Sequence, residues 1–441
     1  MEKFFQKINV AFKSSGDYLE KWQTKRPAMF YLSVFVIAFV IIVLRRVDVV
    51  AYAQFWAEDG TVWYEDAYNI GVSSIFIPQS GYLQTFSRLV GIGSQILPLV
   101  YAPLFFNIIA IIIKIIPILF IFSKRYRKNF PSILVPVILS LVYLSLPNTS
   151  EVYANVTNAH WYLATTAFLV FTAERATSRA GKIFDVALLI LSGLSGPFII
   201  FLFPVAVIWW WLNRKEGVPW LHLISMFVPF VLQVGSVLLT GSSRVPMSLG
   251  ASLALFIKMT SSQVFLGALV GKEGYAELYN SLLFTGDYKA AFIYLVIFLI
   301  GSGIILWALF TGSTRLKLFL FFVGLVYITA IIKPMASATT PQWQVMALPG
   351  STIRYWFLPM LGFLLAILQL FNRKSPLVMK CLGICLLLIM LYGMKFEWVY
   401  KAWPNLAFSR QVKQFEEVAS GTKYIFKIMP ENWATMKLIK H

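Results

Sequence analysis

The segment Phe55-Trp56-Ala57-Glu58-Asp59-Gly60-Thr61-Val62-Trp63-Tyr64-Glu65-Asp66-Ala67-Tyr68 holds four carboxylates, in a chain with only 19 acidic residues against 38 Lys and Arg. A carboxylate fixed in a turn can accept a proton from a hydroxyl or bind a cation. The pairs Glu58-Asp59 and Glu65-Asp66 lie seven positions apart, a spacing that stacks them on one face of a helix. Gly60 interrupts that helix, and the Asp59-Gly60 step favours a turn. Glu58 and Asp59 are therefore expected at a loop-to-helix junction, with a helix starting near Thr61 and capped by Asp59 or Thr61. Trp56, Trp63 and the neighbouring aromatics offer faces on which a sugar ring stacks, or a partly buried setting for the carboxylates. The plain alternative is an acidic surface loop ending in a helix cap.

Three cations are placed to meet an anion. Arg354-Tyr355 follows Pro349-Gly350-Ser351-Thr352 and opens an apolar run. A guanidinium there suits a phosphate or pyrophosphate, which it engages with a bidentate fork. Arg88, in the stretch Gly81-Tyr82-Leu83-Gln84-Thr85-Phe86-Ser87-Arg88, and Lys333 before Pro334 have the same character. Arg354 and Arg88 read equally as snorkelling anchors. The stretch from Asn148 to Trp161 carries Glu151, Asn155, Asn158, His160 and Trp161. These are the amide, carboxylate, imidazole and aromatic groups that read sugar hydroxyls and stack on pyranose rings, as Glu65, Asp66 and Tyr82 could also do. Lys114 lies inside an apolar run, where a charge is costly and marks a functional site unless the run is misplaced.

The elements that must position these residues are apolar. The chain has 441 residues, 59% hydrophobic and 13% charged, with net charge +19 and mean hydropathy +0.73. Apolar residues come in blocks of membrane-spanning length, which excludes a soluble globular domain and does not fit a barrel. The expected fold is an all-α polytopic membrane protein. Spans are expected near 28–44, 99–122, 133–146, 161–172, 183–194, 197–212, 221–239, 290–310, 318–332, 356–371 and 377–394, about eleven in all. The stretch 183–212 reads either as one long span or as a hairpin broken at Gly193-Leu194-Ser195-Gly196-Pro197, with basic flanks favouring the hairpin. The excess of Lys and Arg flanks these runs, so no nucleic-acid partner is implied; membrane lipids are. Cys381 and Cys385, four apart in one run, read as packing residues and form no disulfide framework.

Positive charge sets the expected orientation. With the N-terminus inside, the short turns holding Lys124, Arg125, Arg127 and Lys128, then Arg175, Arg179 and Lys182, then Arg214 and Lys215, then Arg315 and Lys317, then Arg373 and Lys374 all fall on the cytoplasmic side. Residues 1–27 form a basic amphipathic segment on that surface, and 28–394 the transmembrane domain. The outer loops 45–98 and 241–289 carry interfacial helices. Residues 395–441 are a short extracytoplasmic tail with no core of its own and no chemistry, expected to pack back on the outer loops.

With this topology, Ala57-Glu58-Asp59-Gly60, the Gly81-to-Arg88 stretch, Ser195-Gly196-Pro197 and Arg354-Tyr355 make the chain resemble the GT-C superfamily of integral membrane glycosyltransferases. The resemblance implies a sugar taken from a polyprenyl-phosphate carrier on the outer face of the plasma membrane. An acidic residue of the first outer loop would be the base, Asp59 with Glu58 as rival, and Arg354 would hold the carrier phosphate. Without the large soluble C-terminal domain of the oligosaccharyltransferase branch, the implied acceptor is a bacterial cell-envelope glycan or lipid. No cofactor is required, although Glu58 and Asp59 could hold a divalent metal. A flippase for lipid-linked sugars, another multi-span transporter, an envelope polysaccharide polymerase or ligase, and a scaffold subunit are the rival readings. No ATP-binding, dinucleotide-binding or metalloprotease motif is present.

Overall fold

The structure is a computed structural model, and it describes residues 2–216, 219–240, 247–280 and 287–441. Helices form at all eleven apolar stretches marked above: Pro27–Arg45, Ala102–Ile121, Leu134–Ser145, Ala159–Thr172, Arg179–Gly193, Ile199–Leu212, Trp220–Thr240, Asp287–Thr311, Thr314–Ile332, Ile353–Gln369 and Leu377–Glu397. Among the described residues seven helices are long and apolar enough to cross a membrane. That make-up fits a multi-span integral membrane protein. The stretch 183–212 is a hairpin: one helix ends at Gly193, the next begins at Ile199, and Gly196 takes φ +122° between them.

One of the seven long helices was not expected. Leu253–Tyr279 falls where the sequence suggested surface helices; the flanking residues 241–246 and 281–286 of that loop lie outside the described residues. It is instead largely buried, and several of its polar groups are satisfied inward. Ser261 Oγ donates to Tyr294 O at 2.8 Å, Gln263 Nε2 donates to Met346 O at 3.0 Å, and the Thr260 and Tyr327 hydroxyls lie 2.6 Å apart. The helix kinks at Gly271, and the freed N–H groups of Lys272 and Glu273 donate to the Glu397 carboxylate at 2.9 and 3.1 Å. Polar residues that look amphipathic in sequence here serve helix packing.

The turns sort to two ends. At one end Arg125 forms a bidentate pair with Asp185 at 2.7 Å for each bond, His222 Nε2 approaches the same carboxylate at 3.2 Å, and Arg315 Nε donates to Thr172 O at 2.9 Å. The N-terminal helix Glu2–Lys25 docks there, with Gln23 Nε2 donating to Phe122 O at 2.7 Å. At the other end lie the acidic segment, the loop 147–158 and the residues beyond 397. Arg45 stitches that end. Its guanidinium is 1% exposed and donates to Leu144 O, Leu146 O, Glu397 O and the Tyr400 hydroxyl, with Nε on Trp398 O. Lys114 is buried within its helix, its amine 3.7 Å from the Tyr153 ring centre.

The C-terminal residues correct two expectations. They carry a β-hairpin, β1 (Lys423–Lys427) paired antiparallel with β2 (Thr435–Ile439), so the protein is mostly but not wholly helical. They also have a core: Phe408, Val412 and Phe415 of the helix Phe408–Glu417 pack with the buried Phe426, Met436 and Leu438 of the hairpin. The alternation of buried and exposed residues along β2 is the pattern of a strand with one covered face. A segment of such short strands carries little hydrophobic signal, so the sequence pattern does not mark it.

Candidate active site

The C-terminal cap shapes the acidic segment. Phe55 O accepts from Met429 N at 3.2 Å, and Ala57 N donates to Met429 O at 2.5 Å. This bridge holds Ala57 at φ +44° and turns the chain into Glu58 and Asp59. A Cβ on Gly60 would lie 2.5 Å from Ile428 Cδ1 of the cap and 3.0 Å from Phe55 Cβ, so a side chain there would have to displace Ile428. Trp403 stacks on Trp56 with ring centres 4.4 Å apart, and the Arg46 guanidinium lies 3.5 Å from the Trp403 ring centre on its own account. The helical run opens as a wide π-type turn, Asp59–Tyr64, close to the expected start near Thr61, and continues as Glu65–Ile70. The helix Thr85–Ser94 packs on that turn so closely that a Cβ on Gly91 would sit 2.3 Å from Trp63 O.

Asp59 caps nothing in its own helix. Its carboxylate reaches across to the loop before the helix Ala159–Thr172. One oxygen accepts from Val156 N at 3.0 Å, the other from Thr157 N at 2.7 Å and Thr157 Oγ1 at 2.6 Å. It is completely buried. Burial pushes its carboxyl up to about 7, against the three donors that lower it, and the Glu58 charge adds to the rise. Glu58 is different: half-buried, and with no hydrogen-bond or ion-pair partner among the described residues.

Arg354 grips the same loop from the other side. It forms an ion pair with Glu151, its backbone N–H donates to Glu151 Oε2 at 3.1 Å, and its Nη2 donates to Met335 O at 3.1 Å. The Tyr355 hydroxyl accepts from Met335 N at 3.0 Å, and its ring lies 4.8 Å from the guanidinium. Met335 lines a cavity of about 220 Å³ together with Pro334, Ala336, Ser337, Ala338 and Gln342. Inside the loop, Asn155 Nδ2 and Asn158 Nδ2 donate to Glu151 O at 2.7 and 3.1 Å. The loop is thus one hydrogen-bonded unit with Asp59 at one edge and Arg354 at the other.

The other expected site residues sort into open and closed. Arg88 is not open to a phosphate: it is 1% exposed, paired with Asp66, bonded to Ile77 O at 3.1 Å and placed over the Trp63 ring at 4.9 Å. Trp63 is buried with its indole N–H on Thr157 Oγ1 at 2.9 Å, so it offers no face to a sugar. Glu65 accepts from Lys437 N at 2.7 Å, holding the hairpin to the first loop, and burial raises its carboxyl while Lys437 lowers it. Asn155 and Asn158 are buried within the loop, and Trp161 is buried against Phe198 at 4.5 Å between ring centres. His160 is half-buried, packed between Trp161 and Phe198 at 5.8 and 5.4 Å, with Nδ1 unpartnered. Tyr82 is half-buried in the turn whose N–H meets Gln79 O at 3.3 Å, and Lys333 is exposed at a helix end.

Ser195-Gly196-Pro197 serves the frame. Ser195 Oγ accepts from Phe86 N at 2.9 Å, and Gln233 Nε2 donates to Leu83 O, Gly193 O and Gly196 O at 3.0, 3.2 and 3.2 Å. This pins the hairpin tip to the first loop. Sequence reasoning missed Thr157, Met429 and Gln233. Each acts through a partner roughly 40 or more positions away, and no local pattern signals that.

The residues do not fit a divalent metal. Both Asp59 oxygens already accept N–H or O–H donors, and among the described residues no group of three or more His, Cys, Asp or Glu side chains converges. Compared with known proteins, the chain matches no family model, no curated protein and no solved structure.

Proposed function

We propose that this chain is a membrane glycosyltransferase that moves a sugar from a polyprenyl-phosphate carrier to a glycan or lipid acceptor of a bacterial cell envelope. In this reading about eleven helices span the plasma membrane in a GT-C-like arrangement with the N-terminus inside. The basic turns face the cytoplasm, and the site lies on the extracytoplasmic side. The observation that carries the reading is the single loop, residues 147–158, held by an acidic segment at one edge and by a phosphate-type guanidinium at the other.

The roles follow from exposure. Glu58, half-buried and unpaired, is the base; Asp59, sealed against Val156 and Thr157, is the positioning residue. This reverses the order that the sequence suggests for the two. Glu58 takes the proton of the acceptor hydroxyl as its oxygen bonds to the anomeric carbon. The bond from that carbon to the phosphate oxygen breaks, and its electron pair leaves with the carrier phosphate. Arg354, backed by Lys333 and Tyr355, stabilises the charge that develops there. Direct displacement inverts the anomeric centre, and one carboxylate suffices for it.

The test is release of polyprenyl phosphate from a polyprenyl-phosphate-linked sugar by the purified protein in liposomes. Glu58→Gln is expected to lower turnover by about 10²- to 10⁴-fold with thermal unfolding unchanged. Transport of the intact lipid-linked sugar across the bilayer, insensitive to Glu58→Gln, would favour a flippase instead.

A further inference from the structure

We propose that in the ligand-free protein Glu151 occupies the place that a phosphate group takes on Arg354, so that donor binding exchanges one anion for another. This rests on the reading of Arg354 as the phosphate-binding residue. The pair is partly open, with side-chain exposures of 35% for Arg354 and 20% for Glu151. An ion pair in such a setting contributes little to stability, so an anion can displace it at small cost. A space lies one residue away from the guanidinium: its Nη2 bonds Met335 O at 3.1 Å, and Met335, though not Arg354 itself, lines the cavity of about 220 Å³. A phosphate brings more charge and more acceptor oxygens to the planar fork than a single carboxylate does.

Glu151 is tied to more than Arg354. Its carbonyl holds the Asn155 and Asn158 side chains at 2.7 and 3.1 Å, and the next residues, Val156 and Thr157, are bound by Asp59. Freeing the Glu151 carboxylate releases one edge of a loop whose other edge rests on the acidic segment. Donor binding at Arg354 is thereby communicated through Val156 and Thr157 to Asp59, the neighbour of Glu58.

The test is binding of farnesyl phosphate to the full chain in nanodiscs, with inorganic phosphate and farnesol alongside. Glu151→Gln is expected to bind farnesyl phosphate up to about fivefold tighter than the wild type, the most that a partly exposed pair can withhold. Arg354→Gln should lose that binding. Glu151→Asp, which keeps the charge but withdraws it, should fall between wild type and Glu151→Gln and covers the case in which the glutamine variant folds poorly. A larger gain for farnesyl phosphate than for inorganic phosphate supports a lipid ligand; equal gains support the exchange with a free phosphate. If neither Glu151 variant binds more tightly while Arg354→Gln still weakens binding, the exchange is overturned and the phosphate site stands. If Arg354→Gln changes nothing, the phosphate site falls and the exchange with it.

Discussion

Asp59 and Arg354 hold one loop by its two edges, but in opposite surroundings. The Asp59 carboxylate is completely buried, with three donors supplied by Val156 and Thr157. The Arg354 guanidinium is about a third exposed and meets one carboxylate and the carbonyl of Met335, a residue that lines a cavity. Two charged side chains that look equivalent in sequence are therefore a seal and a door. A sealed charge is expensive to remove and contributes mainly to shape. An accessible one contributes little to stability and is free to bind.

The largest effect that would break this contrast is on stability. Asp59→Ala leaves the buried Val156 N–H and the half-buried Thr157 N–H and hydroxyl without their acceptor, and a donor orphaned away from water costs about 1–3 kcal/mol. Thermal unfolding in detergent should show a loss of about 3–5 kcal/mol, the scale of a broken buried network. A loss below ~1 kcal/mol would mean that the loop is held by something other than Asp59. The next effect is on pH. Because burial raises the Asp59 carboxyl to about 7 in the folded chain, the folded state holds its proton where the unfolded chain, near 3.8, has released it. This contribution to stability is complete below the unfolded value, falls as pH rises from about 4 to about 7, and stays level above. Its slope is at most about 1.4 kcal/mol per pH unit, and comparison of wild type with Asp59→Asn by unfolding at a series of pH values isolates it. The smallest effect sharpens the contrast from the other side: Glu151→Gln should change stability by under about 1 kcal/mol, as expected for a partly exposed pair. A loss as large as that of Asp59→Ala would make both edges seals.

The helices were legible because their cause is local. An apolar run of sufficient length forms a helix wherever water is excluded, so all eleven stretches became helices within a few residues of their expected ends. Leu253–Tyr279 escaped because Ser261 and Gln263 look like a polar face until their partners on other helices are known. The C-terminal cap escaped because its strands are five residues each and its core is completed by Phe408 and Phe415 from a separate helix. In the site, the acidic cluster and Arg354 could be picked out by residue type. Which of Glu58 and Asp59 is free could not, since that depends on Val156 and Thr157, about a hundred positions away. Arg88 shows the same limit: its type suits a phosphate, yet Asp66 and Trp63 enclose it.

What the sequence alone determined is the membrane-spanning helical make-up, the sorting of basic turns to one end, and a shortlist of charged residues at the other. These follow from hydrophobicity and charge summed over short windows. Only the tertiary structure decided which of those charges are sealed and which are accessible, and that the chain's last forty residues shape the acidic turn near its beginning. Burial and hydrogen-bond partnership belong to pairs of residues far apart in the chain, and no window of sequence contains both members.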